Sequence, residues 1–483
     1  MVTNFDFNIL LPVIMIAAWA CILLLLDVFF LHRNKGVMAF LAALGIAITL
    51  GVTLTQIPDG STGFNGMVIL DEYARFLNVL FLVTGLLGVG VAYGFNDRMK
   101  IARGEYYVFM LFSIAGMMLM AQATDLIVIF IALELLSIPL YVLSAFAYPR
   151  TDSEESGMKY FLLGAFSSAF LLYGIALIFG AAQTTALMII PGMAMSGQAN
   201  MTLLLIGAGL LLVGLGFKIA AVPFHMWTPD VYQGAPTSVT AFMSAGAKAA
   251  GFAALMRIFA VAFQFQAEDI RPILWGLSAL TMIAGNLIAV SQTNIKRMLA
   301  YSSIAQAGYI LMAFVPFGQS AALSAGVFYL AAYTFTSFGA WAVVMLLEQA
   351  EGRGLEITDF AGLGRKYPWI GIAMTIFMLS FTGIPPTFGF LGKFYLFRSA
   401  IEAGYVWLAI IGVLTSLIAA YYYLRVVVMM FMREGAPEVE REPWLELTVG
   451  AMALITVLIT FAPSWLFDWA YRAGMSIMMY VKG

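Results

Sequence analysis

Leu211 to Arg257, LLVGLGFKIAAVPFHMWTPDVYQGAPTSVTAFMSAGAKAAGFAALMR, sets Lys218, His225 and Lys248 inside sequence that is otherwise apolar. Pro223, Pro229 and Pro236 interrupt the backbone between them. A charge in the bilayer interior costs several kcal/mol unless it meets a partner or water, so a titratable group at that depth points to function. Non-helical backbone survives there only when buried in protein or lining a hydrated cavity. Three titratable groups beside a broken helix therefore predict a wet, protein-lined path through a membrane.

The rest of the chain supplies that membrane setting. Of 483 residues, 62% are hydrophobic and 10% charged, far below the roughly 25% charged residues of soluble proteins. The fold class is an all-α polytopic membrane protein. A net charge of -2 gives no reason to expect nucleic acid as a partner. One cysteine, Cys21, and two histidines, His32 and His225, cannot hold an iron-sulfur cluster or a paired-histidine haem. Neither a dinucleotide nor an ATP phosphate-binding motif is present. The driving energy must come from an ion gradient or from partner subunits.

Apolar windows of spanning length predict roughly fourteen helices, near residues 9–31, 37–56, 75–95, 104–122, 125–147, 157–183, 201–221, 238–263, 272–292, 299–315, 321–347, 368–400 (broken), 404–432 and 445–472. Ile9 to Leu31 is too long for a signal-peptide core and is expected to be retained, with Asp27 as an interfacial acid. Arg33, Lys35, Arg98, Lys100, Arg103, Arg150, Lys296, Arg297, Arg353, Arg365, Lys366, Arg433 and Arg441 follow odd-numbered spans, whereas Arg75 and Arg271 stand on the opposite side. The positive-inside rule makes the odd loops cytoplasmic and puts both termini outside.

An internal duplication is also expected. PFHMWTPDVYQGAP, near the seventh span, has a counterpart five spans later in FTGIPPTFGFLGKF, Phe381 to Phe394. An odd offset inverts the topology, and inverted repeats with matching broken helices are a transporter device. The expected organisation is a three-helix segment at 1–103, five-helix repeats at 104–263 and 264–433, and a final helix at 434–483.

Glu134 lies nine residues past Asp125, near mid-membrane at 1.5 Å per residue. Its carboxylate is either helix glue in a permanent ion pair or a charge that works by separating from one. Lys218, five residues before Pro223, either snorkels to an interface or exchanges protons, as a desolvated lysine can. His225 is a proton carrier or a satisfied core residue. Lys248 sits among small residues that leave room for water, and Lys393 closes GIPPTFGFLGKF after Pro385 and Pro386. Lys159 is a membrane-edge anchor or a pathway group. Arg257 and Arg398 read as structural or interfacial, because a guanidinium does not exchange protons usefully. The many Met and Phe residues read as packing.

KIAAVPFHMWTPDVYQGAPTSVTAFMSAGAKAA, NIKRMLAYSSIAQAGYILM and GIPPTFGFLGKFYLF resemble the antiporter-like membrane subunits of respiratory complex I, NADH:quinone oxidoreductase. Within that family PDVYQGAPT is similar to the N type rather than the M or L types, and the likeness covers nearly the whole chain. The resemblance implies proton translocation in a bacterial inner membrane. It pairs Glu134 with Lys218, makes His225 and Lys248 the central connecting groups, makes Lys393 the exit lysine and gives Lys159 a modulating role. It implies no redox centre here, with NADH, FMN, iron-sulfur clusters and quinone handled by partner subunits. Other membrane subunits would flank the chain, and lipids and a peripheral redox arm would complete its setting. Two alternatives stay open: a subunit of an Mrp-type sodium/proton antiporter, and a membrane subunit of a ferredoxin-driven or hydrogenase-linked relative.

Overall fold

A computed structural model describes residues 4–31, 34–316, 318–349 and 352–479, with the side chains of 4–6 and 31 left out. His32 and Arg33 lie outside the described residues. The chain opens with α1 (Asn4–Leu26), a π-helical turn (Asp27–Leu31) and α2 (Lys35–Thr55). A small antiparallel hairpin, β1 (Ser61–Gly63) and β2 (Val68–Leu70), pairs Ser61 with Leu70. Its turn runs through Phe64, Asn65 and Gly66, all at positive φ. Next come α3 (Glu72–Arg98), α4 (Glu105–Gln122), α5 (Leu126–Ser144), α6 (Thr151–Ala182), the short α7 (Ile190–Met195) and α8 (Met201–Ile219).

Beyond α8 the backbone breaks, then resumes as α9 (Trp227–Gly234) and α10 (Thr237–Phe242), which runs through a π turn (Met243–Ala247) into α11 (Lys248–Ala262). The second half holds α12 (Ala267–Val290), α13 (Ile295–Leu311), α14 (Ser320–Leu347), the four-residue α15 (Leu363–Lys366), α16 (Pro368–Thr382), α17 (Phe388–Glu402), α18 (Val406–Met432), α19 (Pro443–Leu458) and α20 (Ser464–Met479).

Among the described residues eleven helices are long and apolar enough to cross a membrane, fewer than the roughly fourteen expected. The difference falls where helices are short or divided: α13 has 17 residues, α16 and α17 have 15 each, and α19 has 16. The single span expected at 445–472 is two helices. Pro463 lacks an amide hydrogen and disfavours helical backbone in the residue before it, so α19 stops at Leu458 and α20 starts afresh.

The basic loops meet on one face. Arg98 pairs with Glu442 at 2.8 Å and donates to the Met345 carbonyl, Arg297 pairs with Asp230 at 2.8 Å, and the loop at Gly352 abuts Arg150. On the opposite face Arg75 donates to the Leu54 carbonyl, and Trp469 donates to Glu72. Thr237–Ala262 is buried along its whole apolar window and α14 nearly so, whereas α1 and α6 turn most of their surface outward. The core of the fold is therefore the α10–α11 segment and α14, and it is there that the lysine-bearing turns converge.

Candidate functional site

Two helix breaks position the site. α8 ends where Ala220 takes a left-handed conformation at φ 62°, and the following Pro223 has no amide to continue the ladder. The freed groups are claimed locally: Trp227 Nε1 donates to the Phe217 carbonyl at 2.9 Å, and Val222 N donates to Thr281 Oγ1 at 3.0 Å. Trp227 also stacks on Tyr160, with ring centroids 4.5 Å apart. In the second break Gly383, at φ 90°, ends α16, and Thr387 accepts from Phe390 N to start α17.

Lys218, Lys248 and Lys393 are 4%, 2% and 3% exposed, and their ligands are neutral oxygens. Lys218 Nζ donates to Ser137 Oγ at 2.8 Å and Tyr160 OH at 3.2 Å. Lys248 follows the π turn, donates to the Ser303 carbonyl at 2.7 Å and also binds the Ser303 hydroxyl. Lys393 donates to the Thr382 carbonyl at 3.1 Å and Ser416 Oγ at 3.0 Å, with its Nζ 4.2 Å from the Tyr309 ring centroid. Among the described residues no carboxylate forms an ion pair with any of the three. Lys218 and Lys248 are neighbours through α11: a Cβ built on Gly251, one turn after Lys248, would lie 3.2 Å from Lys218 Cγ.

The expected Glu134–Lys218 pair is not in direct contact. Glu134 is half-buried on α5 and accepts from Ser168 Oγ of α6 at 2.5 Å, while Lys218 is held one turn along α5 by Ser137. Each charge is satisfied by a hydroxyl, so contact between them is not needed to solvate either. Lys159 is held by other partners. It binds Glu155 at 2.6 Å and Asp230 at 2.7 Å in a polar cleft of about 220 Å³ that Asp152, Gln233 and Arg297 also line. His225 lies in the first break, where its ring meets the Pro223 backbone. Arg257 makes a buried two-pronged pair with Asp71 at 2.8 and 2.9 Å and donates to the Ala121 carbonyl, whereas Arg398 pairs with Glu402 on the surface.

Residues outside the sequence-level expectation join the lysines. On α13, Ser302 bonds Tyr423 OH at 2.5 Å, Gln306 donates to Tyr423 OH at 3.2 Å and to the Phe381 carbonyl at 3.1 Å, and Tyr329 donates to Gln306. Ser416 reaches Tyr309 OH at 3.1 Å, and Asn286 reaches it from α12 at 3.2 Å. Their signal in the sequence is the spacing of Ser302, Gln306 and Tyr309, which puts polar groups at i, i+4 and i+7 of an apolar helix. Hydroxyls both donate and accept, so the array can pass protons as well as hold lysines.

The family model described as NADH:quinone oxidoreductase/Mrp antiporter, TM, matches residues 123–419, which contain both breaks and Lys218, Lys248 and Lys393. The chain belongs to this family. NADH-quinone oxidoreductase subunit N of Trichlorobacter lovleyi is 46% identical over 475 residues, 97% of each chain. Among solved structures, a chain of respiratory complex I from Thermus thermophilus is 35% identical with a TM-score of 0.82, covering 95% of this chain and 98% of that one. A chain of the Mrp complex from a Dietzia species has a TM-score of 0.89 over all of both chains at 20% identity, a likeness of fold alone. The N-type resemblance is thus borne out.

Proposed function

We propose that the chain is the proton-translocating membrane subunit of an NADH:quinone oxidoreductase, moving protons from the cytoplasm to the outer face. The observation that carries this reading is that Lys218, Lys248 and Lys393, buried beside the helix breaks and the π turn, have neutral oxygen ligands. A permanent structural cation would be expected to have a buried counter-charge, as Arg257 has in Asp71. The identity to subunit N relatives favours this reading over an Mrp antiporter subunit, for which the support is the fold.

In this mechanism a change of charge or hydration near Glu134 alters how firmly Lys218 keeps its proton. That proton passes toward Lys248 and then Lys393 for release, and Lys218 reloads from the cytoplasm. Lys159 biases the Glu134 end through Asp230, and His225 serves the break between Lys218 and Lys248. Residues 104–263 and 264–433 act as inverted repeats, one broken helix in each, with both termini outside a bacterial inner membrane.

NADH, FMN, iron-sulfur clusters and quinone belong to partner subunits that this chain contacts only through neighbouring membrane subunits. With one cysteine and two histidines in the sequence, we read these clusters as lying in the partner subunits. The test is the proton-to-electron ratio of the assembled complex in proteoliposomes. Lys218→Ala or Glu134→Ala should lower it, and an unchanged ratio in both would refute the reading. Purification with only small membrane partners, and no flavin or iron-sulfur subunits, would favour the antiporter instead.

A further inference from the structure

A buried lysine and a buried carboxylate lie outside the site described above. Lys296 and Glu348 are each 1% exposed. Lys296 Nζ donates to the Ala235 carbonyl at 2.8 Å, and Glu348 accepts from the Thr237 hydroxyl. These two holders flank Pro236, yet among the described residues no ion pair joins Lys296 to Glu348. Arg257 and Asp71, by contrast, meet in two bonds. Gly234 and Arg297, the chain neighbours of Ala235 and Lys296, line the polar cleft of about 220 Å³ on the face where the basic loops meet. The other charges that act on Lys296 are those of Arg150 and Asp152, which reach solvent.

From Glu348 a line of hydroxyls leads inward to Lys248. Thr237, Thr240 and Ser244 fall at i, i+3 and i+7, one face of a helix, and all three are fully buried. Thr240 donates to the Tyr232 carbonyl at 3.1 Å, and Ser244 shares a bond of 3.0 Å with Ser337 of α14. Tyr333, one turn before Ser337, turns its hydroxyl toward Ser244, Ser337 and Ser303, and Ser303 holds Lys248. Side chains one turn apart have Cβ atoms about 5 to 6 Å from each other, a gap that a single water bridges.

We propose that Lys296 and Glu348 form a second proton entrance, which delivers cytoplasmic protons to Lys248 along this hydroxyl face without passing through Lys218. The Lys296 ammonium turns from Ala235 and gives its proton to the Glu348 carboxylate, then regains one from cleft water. The carboxylic acid releases that proton to Thr237. Each hydroxyl or bridging water then takes a proton on its oxygen and gives up another from the same oxygen, and the neutral Lys248 amine receives the last. One proton leaves the cytoplasm, one appears on Lys248, and no backbone carbonyl carries any. This rests on the proton-translocation reading and adds to it a separate supply for the central lysine.

The test is the proton-to-electron ratio of the complete complex in proteoliposomes, set against that of Lys248→Ala. Glu348→Gln removes the titratable group, and Thr240→Val removes a hydroxyl without leaving room for water. Each should lower the ratio by as much as Lys248→Ala does, whereas Thr240→Ser should keep the wild-type value. Adding Lys248→Ala to Glu348→Gln should bring no further loss. Were Glu348 merely a counter-charge for Lys296, Glu348→Gln combined with Lys296→Met would restore the ratio; the entrance requires it to stay low.

A wild-type ratio in Glu348→Gln or Thr240→Val, assembled with the full subunit set, would overturn the entrance, as would recovery in the combined variant or a normal ratio in Lys248→Ala. A low ratio in Lys218→Ala beside a normal one in Glu348→Gln sinks the entrance alone. Normal ratios in Lys218→Ala and Glu134→Ala beside low ones in Glu348→Gln, Thr240→Val and Lys248→Ala sink the sequence driven from Glu134 and leave the entrance.

Discussion

Gly251 has no side chain, and that is what lets Lys218 lie against α11. A Cβ there would stand 2.9 Å from Ile219 Cγ2 and 3.2 Å from Lys218 Cγ. Overpacking of this kind costs about 1 to 3 kcal/mol. Gly251→Val should lower both the thermal midpoint of the purified complex and its proton-to-electron ratio, with Gly251→Ala milder in each. Removing the Ser137 hydroxyl takes one of two side-chain acceptors from the Lys218 ammonium, a loss on the order of 1 to 3 kcal/mol for a buried charge. Ser137→Ala should therefore reduce the ratio and Ser137→Thr restore it; equal ratios in all three proteins would mean that this hydrogen bond has no part in transport. Asp230 makes a useful contrast. Its partners Lys159 and Arg297 are 40% and 33% exposed, so Asp230→Asn should cost no more than about 1 kcal/mol in a chemical-denaturation series.

Helix contacts explain which variants are structural. α12 and α13 touch backbone to backbone through Gly285 and Gly308, where a Cβ would come within 2.6 Å of Ala305 N and Met282 N. Main-chain atoms cannot yield as a flexible side chain does, so Gly308→Leu should prevent assembly, read as loss of the chain from the purified complex. Asp71 caps α3 by accepting from Ala74 N and also neutralises Arg257. Asp71→Ala would strand a buried guanidinium at about 3 to 5 kcal/mol. The expected result is poor assembly but a normal proton-to-electron ratio in whatever assembles.

At this scale the sequence was partly legible. Both proline breaks were readable from Pro223 and from Pro385 and Pro386, because a missing amide is a local fact. The division of α19 from α20 was not anticipated, since Pro463 falls late in a run whose apolar character continues on both sides. The lysines stood out against apolar surroundings. Ser137, Tyr160 and Ser168 did not, because a buried hydroxyl matters only through what another helix brings to it, and that pairing is tertiary. The same reason kept the Glu134 and Lys218 hydroxyl partners hidden, and the direct pair was expected only because the resemblance implied it.

The whole molecule is layered. Its outer helices, α1 and α6 among them, present leucine, isoleucine and phenylalanine outward, and its inner ones carry the charges. Thr237–Ala262 holds both Lys248 and Arg257 and has no outward surface of its own. In an isolated helix each of those cations would oppose insertion by about 2.5 to 3.5 kcal/mol. Biogenesis must therefore follow the layering: the segment enters the bilayer well only once earlier helices stand ready to shield it. A reporter fused after residue 262 should insert efficiently when residues 1–236 precede it and poorly when Thr237–Ala262 is presented alone, whereas α1 should insert unaided. Nascent chains stalled short of α13 would then hold Lys248 without its Ser303 ligand. Such unfinished chains are the form that membrane quality-control proteases should recognise.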